Sequence, residues 1–399
     1  MSTFNGFLRE IPYIRVDRFN TYDEDTKIFF LTHCHADHTV GICDEFFLDL
    51  KRRNLFLYAS PISVRILKND YPDFTCRLKE VIVGEYSLIQ TEYRGEIIYL
   101  TYKAIPAGHC PGSVMFLFDT ERFQVLYTGD FRIDKHEQFM NKYFKDVTSI
   151  ETIYLDTTFC KKEFPHFPTR KESLSGLCDL ITSWLNRDKT NLIKLTFPAT
   201  YGSEYLFKGI YESTGFKIHV NERRYNLHKF IPDLDEMIDV DDYKLKLRIH
   251  ACDNFFCRLA NSSPTKICEI KITAMIWTHY QPGDSVVSYE GGNFYRVCAS
   301  YHPSYNEIND FINYLKPKRI IACVFPQKPD EQIKMLGLLK EMTRNYSKRE
   351  IDEKFVIDVG KMLKSEDNRK KKLLRNDDLL SSPPRRFKKL QPSDVDLNR

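Results

Sequence analysis

The chain has 399 residues, of which 42% are hydrophobic and 29% are charged, with 59 basic against 55 acidic side chains. This apolar fraction is enough for a large core, so a wholly disordered chain is excluded. No apolar run approaches the roughly 18 residues that a membrane-spanning helix needs. The first residues show no basic region followed by an apolar stretch, so secretion is not expected. The 11 cysteines form no dense framework, which indicates reduced thiols or metal ligands in the cytosol or nucleus.

The positive charge is concentrated at the end of the chain. Residues 364–399 hold 11 basic and 6 acidic side chains, which leaves 48 basic and 49 acidic ones in the remainder. A body without a basic excess does not bind polyanions through its overall charge, so nucleic acid would need a local patch or a metal site. Residues 361–399 are predicted to be a disordered basic tail. Two basic clusters in it, at 369–372 and 385–389, resemble a nuclear import signal.

The first 157 residues have the pattern of short strands separated by turns. A short helix is predicted at 61–69. Apolar runs predict buried strands at 28–31, 55–58, 97–100, 114–118 and 125–127. Short apolar strands that end in polar loops indicate stacked sheets with the functional residues in the loops.

After Asp156 the pattern changes to alternating helices and strands. Helical spacing of apolar residues predicts a helix at 173–186, and another is predicted near 203–213. The remaining predicted elements are strands at 192–197, 216–220 and 320–325 and a helix at 330–343. This alternation predicts an α/β unit with some parallel strand pairing.

Four potential metal ligands lie within six positions directly after the strand predicted at 28–31. The motif is HCHADH, in which His33 and His35 can direct their imidazoles at one metal ion. Asp37 and His38 are one step further along and can reach a second ion. Imidazole and carboxylate suit Zn²⁺, and the carboxylate also suits Mn²⁺ or Mg²⁺. A chance match is on the order of 10⁻³, so we interpret the motif as a metal site rather than as surface histidines.

Two further candidate ligands lie in turns beside predicted strands. His109 lies in the loop AGHCPGS before the strand at 114–118, and Asp130 follows the strand at 125–127. A glycine in each turn gives the backbone freedom to direct the side chain inward. Taken alone, each is an ordinary loop residue, and only the motif at 33–38 makes them candidates.

Together these motifs resemble those of the metallo-β-lactamase family. The resemblance rests on H-x-H-x-D-H, the later Gly-His and Gly-Asp pairs, and an early Asp17 in VDRF. YLDTTF, with Asp156, and SYHPSY, with His302, are similar to the extra motifs of the β-CASP branch, which processes nucleic acids. Within that branch, AGHCPGSVMFLF, YTGDFR and YGSEYLF resemble the DNA-repair nucleases over about residues 1–345.

The resemblance implies an α/β fold, an αββα metallo-β-lactamase sandwich with an inserted α/β β-CASP domain. The lactamase domain would comprise residues 1–157 and a closing part at 301–360, and the β-CASP domain would comprise 158–300. This division agrees with the change of pattern after Asp156.

The resemblance also implies a role for each candidate residue. One metal ion would be held by His33, His35 and His109, the other by Asp37 and His38, and Asp130 would bridge both. Asp17 would orient these ligands, and Asp156 would accept hydrogen bonds at the edge of the site. His302 would complete the second metal shell or protonate the leaving oxygen. The expected cofactors are one or two Zn²⁺, with Mg²⁺ or Mn²⁺ as an alternative in the second position.

Two smaller sites are also predicted. His219, His250, Cys252 and Cys268 have the donor inventory of a closed structural zinc site, although Cys257 lies nearby and makes the count ambiguous. Ser300 and Ser304 flank His302 and are candidate phosphate-binding residues. In this motif Pro303 stands where the family usually has serine, so the phosphate pocket is expected to differ.

The implied function is metal-dependent hydrolysis of phosphodiester bonds in DNA. The enzyme would process overhangs and hairpins as an endonuclease, or act as a 5′–3′ exonuclease, in the repair of double-strand breaks by non-homologous end joining. Expected partners are DNA and, through the family, a DNA-dependent protein kinase and an end-joining ligase complex, in the nucleus and with no membrane. The alternatives are a β-CASP nuclease acting on RNA and a non-catalytic scaffold that binds DNA ends.

Overall fold

The computed structural model describes residues 2–344 apart from 121, 134–135, 148 and 253–256. The predicted basic tail, its import-like clusters and the end of the predicted closing part lie outside the described residues. The described chain is mixed α/β, as predicted from the sequence.

The described chain contains strands that assemble into three sheets. In chain order they are β1 (Ile14–Val16), β2 (Ile28–Leu31), β3 (Leu57–Ala59), β4 (Leu78–Glu80), β5 (Tyr86–Tyr93), β6 (Glu96–Pro106), β7 (Val114–Asp119), β8 (Gln124–Tyr127), β9 (Ile150–Leu155), β10 (Leu192–Thr196), β11 (Ile218–His219), β12 (Ile238–Asp239), β13 (Ile249–His250), β14 (Ile267–Ile272), β15 (Val287–Gly291), β16 (Phe294–Val297) and β17 (Arg319–Ala322).

Helices cover the sheets and lie between the strands along the chain. They are α1 (Asp44–Arg53), α2 (Pro61–Asp70), α3 (His136–Tyr143), α4 (Arg170–Arg187), α5 (Glu204–Thr214), α6 (Glu222–His228), α7 (Asp242–Leu245), α8 (Tyr305–Leu315) and α9 (Pro329–Thr343). No helix in the described ranges is long and apolar enough to cross a membrane.

Two sheets face each other and form the first core. One is parallel, in the order β1-β2-β3-β4, and the other is mixed, in the order β17-β9-β8-β7-β6-β5. Phe30 of β2 projects across the interface, with its ring 4.8 Å from that of Phe116 and 5.1 Å from that of Phe118, both on β7. Successive strand residues point to opposite faces, so Phe29 and Leu31 pack outward with α1 and α2.

The outer face of the mixed sheet is covered by helices from distant parts of the chain. Apolar residues of β7, β8 and β9 pack there against α3, α8 and α9, so the order of layers is helix, sheet, sheet, helix. This confirms the predicted αββα sandwich. The strand β17 returns late in the chain and pairs in parallel with β9.

The third sheet is built from strands between residues 192 and 297. Its order is β12-β11-β13-β10-β14-β16-β15, parallel except for β15 at one edge. Its core packs against α4 and α5. The sequence specifies the start of α4 directly, because Thr169 and Glu172 form a reciprocal capping box. This sheet supplies the α/β unit expected after Asp156, and the domain boundaries themselves stay predictions.

Candidate metal centre and its cleft

The predicted metal ligands follow the carboxyl ends of strands. The motif at 33–38 comes after β2, His109 after β6, Asp130 after β8 and Asp156 after β9. Strands β6, β8 and β9 run in the same direction, so their carboxyl ends meet at one edge of the sheet. Loops from both facing sheets therefore converge at one place.

Three imidazoles direct one ring nitrogen each at a common point. His35 Nδ1 lies 3.0 Å from His33 Nε2 and 2.9 Å from His109 Nε2. The second nitrogen of each ring has its own partner. His35 Nε2 lies 2.8 Å from Tyr201 O, His109 Nδ1 lies 2.8 Å from Tyr301 O, and His33 Nδ1 lies 3.0 Å from Thr32 Oγ1. Since a carbonyl only accepts, His35 and His109 present unprotonated nitrogens to the common point.

Burial keeps these imidazoles in the form that binds metal. Desolvation is the main cause that lowers the pKa of His33, His35 and His109. Three neutral nitrogens at this spacing match the ligand set of a zinc site with open positions. Cys110 Sγ lies in the same group, within 4.8 Å of the three nitrogens. Burial raises the pKa of Cys110 well above its ordinary value, which favours a packing role for the thiol.

A second group of donors adjoins the first. His38 Nε2 is buried and makes no hydrogen bond within the described chain. It faces Asp130 Oδ1 at 3.4 Å and Asp37 Oδ2 at 3.9 Å. The other oxygen of Asp130, Oδ2, lies 3.6 Å from His109 Nε2 and 3.8 Å from His33 Nε2. Asp130 thus turns one oxygen to each group, and the donor set fits two divalent metal ions.

Asp17 orients the second group from behind. Its carboxylate accepts from Thr32 N at 2.7 Å and from Thr32 Oγ1 at 2.6 Å, and His38 Nδ1 lies 2.7 Å from its Oδ2. Burial disfavours the charged imidazolium, but Asp130 and Asp17 outweigh it and raise the pKa of His38 well above its ordinary value. Asp17 has φ of 57°, a left-handed conformation that aspartate tolerates better than most residues.

Asp156 and His302 form a pair at the edge of the site. His302 Nδ1 lies 2.8 Å from Asp156 Oδ2 and 4.0 Å from Asp130 Oδ2. The other oxygen of Asp156 accepts from Thr158 N and Thr158 Oγ1, which fixes the carboxylate. Burial acts against the imidazolium, yet the two carboxylates raise the pKa of His302 to about 8.

These residues lie in a cleft of about 880 Å³. Its walls come from the lactamase-like motifs, from α2 and α6, and from the loops after β10 and β14. Among the predicted site residues, His35, Asp37, His109, Asp130, Ser300 and His302 line it directly. The cleft therefore gives a substrate access to both donor groups.

The two predicted phosphate-binding serines are not equivalent. Ser300 lines the cleft, where its Oγ donates to His302 O at 2.7 Å. Ser304 instead is the N-cap of α8, where its Oγ accepts from Glu307 N and Glu307 returns a bond to Ser304 N. The capping box gives the hydroxyl of Ser304 a role at the start of α8, and its assignment to phosphate stays a prediction.

The structure brings together three of the four residues predicted for the zinc cluster, and a different cysteine takes the fourth place. His219, His250, Cys252 and Cys257 offer donor atoms within 4.8 Å of one another, and the two sulfurs are 3.5 Å apart. The prediction of Cys268 as fourth member is corrected to Cys257. Cys268 lies on β14 and its side chain is buried in the apolar core of the third sheet.

The sequence did not reveal the groups that hold the ligands in place. Thr32 bonds both Asp17 and His33, and its position directly before the motif was the available signal. Arg132 is buried and donates to Ser300 O at 2.8 Å and Pro168 O at 2.9 Å, which ties the loop of His302 to the start of α4. The carbonyls of Tyr201 and Tyr301 leave no trace in a side-chain pattern.

Comparison with known proteins adds the family. Residues 244–328 match the family model described as DNA repair metallo-beta-lactamase. The chain is 35% identical to Protein artemis of Gallus gallus over 372 residues, which is 87% of this chain and 51% of that protein. It is 34% identical to Protein artemis of Homo sapiens over 377 residues, which is 88% of this chain and 53% of that protein.

A more distant relative carries an activity in its name. The chain is 29% identical to 5' exonuclease Apollo of Mus musculus over 316 residues, which is 76% of this chain and 51% of that protein. The chain thus spans about half the length of the curated relatives it matches.

Proposed function

We propose that this chain, which belongs to the metallo-β-lactamase/β-CASP family and is Artemis-like within it, is a metal-dependent nuclease that processes DNA ends. The observation that carries the proposal is the double donor group joined by Asp130 at the base of an open cleft. A scaffold that only binds DNA ends has no need for two adjoining groups of this kind.

The chain's own residues supply the binding and orientation. His33, His35 and His109 would hold one divalent metal ion, and Asp37 and His38 the other, with Asp130 between them. Metal ions bound there supply Lewis acidity for the attack of water on phosphorus and positive charge for the phosphoryl oxygens. Asp17 fixes the ring of His38 through its Nδ1, which leaves Nε2 as the ligand atom.

His302 is the proton donor in this proposal. With a pKa raised to about 8, mainly by Asp156 and Asp130 acting against burial, the imidazolium is present at neutral pH. Asp156 holds Nδ1 at 2.8 Å, so Nε2 is the nitrogen available to a substrate. A group with a pKa near the working pH is suited to protonate the leaving oxygen of a phosphodiester.

DNA is the proposed substrate because the matched family model is described as DNA repair metallo-beta-lactamase. Two relatives carry related names, 5' exonuclease Apollo and DNA cross-link repair 1A protein. In the cleft, the exposed Arg223 and Asn226 of α6 offer polar contacts for a phosphate backbone. The reaction modes proposed are cutting at overhangs and hairpins and 5′–3′ trimming.

The test is a nuclease assay with purified protein. Hairpin, overhang, blunt and single-stranded DNA are compared with matched RNA, in Zn²⁺, Mn²⁺ or Mg²⁺, and Asp130→Ala serves as the inactive control. We expect cleavage of DNA that Asp130→Ala lacks. Equal or faster cleavage of RNA would mean that RNA and not DNA is the substrate. Binding of DNA ends without cleavage in any of the three metals would mean that the chain is a scaffold that binds DNA ends.

The proposal extends to the metals, the location and the partners of the protein. We infer Zn²⁺ in the active site, with Mn²⁺ or Mg²⁺ able to take the second position, and one structural zinc at His219, His250, Cys252 and Cys257. We place the protein in the nucleus, in end joining, with a DNA-dependent protein kinase and a ligase complex as partners. Fluorescence imaging and co-purification after DNA damage test the last two; cytoplasmic protein without these partners would overturn them.

A further inference from the structure

A buried ion pair lies behind the metal centre, and the proposed chemistry does not use it. Glu204 Oε1 and His228 Nε2 are 2.9 Å apart, and their side chains are 4% and 0% exposed. Glu204 begins α5 and His228 ends α6. Taking a carboxylate and an imidazole out of water is costly, and such a pair often stabilises a fold no better than apolar residues do. The position of the pair therefore suggests a functional role.

The pair is joined to a metal ligand through a single peptide group. Gly202 N donates to Glu204 Oε1 at 3.0 Å, and Tyr201 O accepts from His35 Nε2 at 2.8 Å. This N–H and this carbonyl belong to the same peptide bond, which is planar and trans, so they point in opposite directions. Glu204 on one side thus fixes the plane of the group that holds His35 on the other.

The turn is built so that this peptide can approach the ligand. Gly202 has φ of 114°, a conformation that side chains rarely adopt. A Cβ at this position would make an ordinary van der Waals contact with His35 Nε2, at 3.7 Å, so the backbone conformation and not a lack of space favours glycine. The turn is tied down at its other end by the hydroxyl of Tyr201, which bonds to Pro111 O.

His228 holds the carboxylate in place. Its Nδ1 lies 2.6 Å from Arg224 O, and since a carbonyl only accepts, Nδ1 carries a proton. Nε2 faces Glu204 Oε1 at 2.9 Å across the ion pair. The ring also packs against Tyr201 and Phe207, at 5.9 and 5.6 Å between ring centroids.

We propose that Glu204, supported by His228, is a positioning residue for the metal ligand His35. The carboxylate polarises and orients the Tyr201–Gly202 peptide, whose carbonyl fixes the protonated nitrogen of His35 and leaves Nδ1 for the metal. The inference rests on the proposed metal site, and it adds a residue from the third sheet's α/β unit to that site.

The test measures metal affinity, not only turnover. Mn²⁺ is titrated into the full chain and followed by electron paramagnetic resonance, because imidazole and carboxylate sites accept Mn²⁺ whereas thiolate sites select zinc. The variants are Glu204→Ala, Glu204→Gln, which keeps an acceptor oxygen for Gly202 N, and His228→Gln. Leu185→Ala is the control for loss of stability alone, because Leu185 lies on α4 and is buried in the apolar core of the third sheet.

We expect Glu204→Ala to weaken Mn²⁺ binding by about 10- to 100-fold, the usual effect of losing a group that orients a ligand. Glu204→Gln should recover most of this loss, and His228→Gln should fall between them. Leu185→Ala should lower the melting temperature with unchanged affinity. Folded Glu204→Ala with wild-type affinity, or an equal loss in Leu185→Ala, would overturn the proposal.

The two proposals fail in different ways. If the wild-type chain cleaves no nucleic acid but Glu204→Ala still weakens Mn²⁺ binding, the positioning role stands and the proposed function does not. If the wild-type chain cleaves DNA and the affinity of Glu204→Ala is unchanged, the proposed function stands and the positioning role is rejected.

Discussion

Two histidine-rich clusters within the described residues differ in what surrounds them. The cluster of His33, His35, His38, His109 and Asp130 opens onto a cleft through His35, His109 and Asp130, and it contains a carboxylate. It also contains a buried ring nitrogen, His38 Nε2, with no hydrogen bond in the described structure. The cluster at His219, His250, Cys252 and Cys257 pairs two imidazoles with two thiols. Open sites with hard ligands suit catalysis, whereas closed Cys₂His₂ sites stabilise folds.

The difference also extends to the groups behind the ligands. In the cleft cluster, Asp17, Thr32 and the Tyr201 and Tyr301 carbonyls hold the rings. In the other cluster, His219 and His250 come from adjacent, paired strands, β11 and β13, so the sheet itself sets their spacing. One site is therefore tuned by polar contacts, and the other is fixed by backbone pairing.

The largest expected effect is on stability, from the closed cluster. Cys257→Ala should release zinc and destabilise the chain, because a structural zinc site contributes on the order of 10 kcal/mol to folding. The matched control is Cys268→Ala, which removes a buried thiol without touching the cluster. Metal analysis and calorimetry provide the measurements. Loss of zinc from Cys268→Ala, with zinc retained in Cys257→Ala, would mean that Cys268 and not Cys257 is the fourth ligand.

In the cleft cluster the expected effect is on rate. Asp130→Ala or Asp37→Ala should reduce kcat/KM by at least about 10²-fold while the fold is retained, since these residues would hold the metal ions that activate water and neutralise charge. Asp70→Ala, another acidic residue that lines the cleft, is the control. Near-wild-type cleavage by Asp130→Ala would contradict a catalytic role for the cleft cluster. Loss of zinc from both clusters in Asp130→Ala would contradict the separation of a catalytic from a structural site.

A change of pH should affect the cleft through His302. The carboxylates of Asp156 and Asp130 overcome burial and raise the pKa of His302 to about 8. The imidazolium is present below that value and is lost as pH rises through it, so a proton donor here predicts falling kcat above about pH 8. His302→Ala should lose about 10²-fold and show no such decline. A parallel alkaline decline in both proteins would contradict the role.

Features formed by residues close together in the sequence could be predicted, whereas features formed by distant residues could not. The motif at 33–38 brings His33, His35 and His38 close to one another, as expected for donors that share one turn, and their role as metal ligands stays a prediction. The choice between Cys257 and Cys268 was not local: both spacings from Cys252 are compatible with zinc, and only the fold shows that Cys268 belongs to the core. The cap of α8 could also have been predicted from the sequence, since Ser304 and Glu307 form an S-x-x-E capping signature.

The fold shows the same limit. The run at 97–100 predicted only part of β6, because the β5–β6 hairpin is half exposed and its apolar residues alternate with polar ones. Its turn is formed by Arg94 and Gly95, which both have positive φ, at 54° and 83°, as a two-residue hairpin turn requires. Which sheet faces which depended on contacts far apart in sequence, such as Phe30 against Phe116.

The smallest effect expected concerns Asp17, which touches no substrate. Asp17→Asn keeps an oxygen for Thr32 but removes the charge that faces His38 Nδ1 at 2.7 Å. Mn²⁺ affinity should fall by about 10-fold, at the low end for groups that orient a metal ligand, with kcat at saturating metal reduced less. Asp23→Asn is the control, since Asp23 is largely exposed and pairs with Arg15. The Mn²⁺ affinities of Asp17→Asn and Asp23→Asn are measured by electron paramagnetic resonance. If the two affinities were equal, backbone geometry alone would position His38, as strand pairing does in the closed cluster.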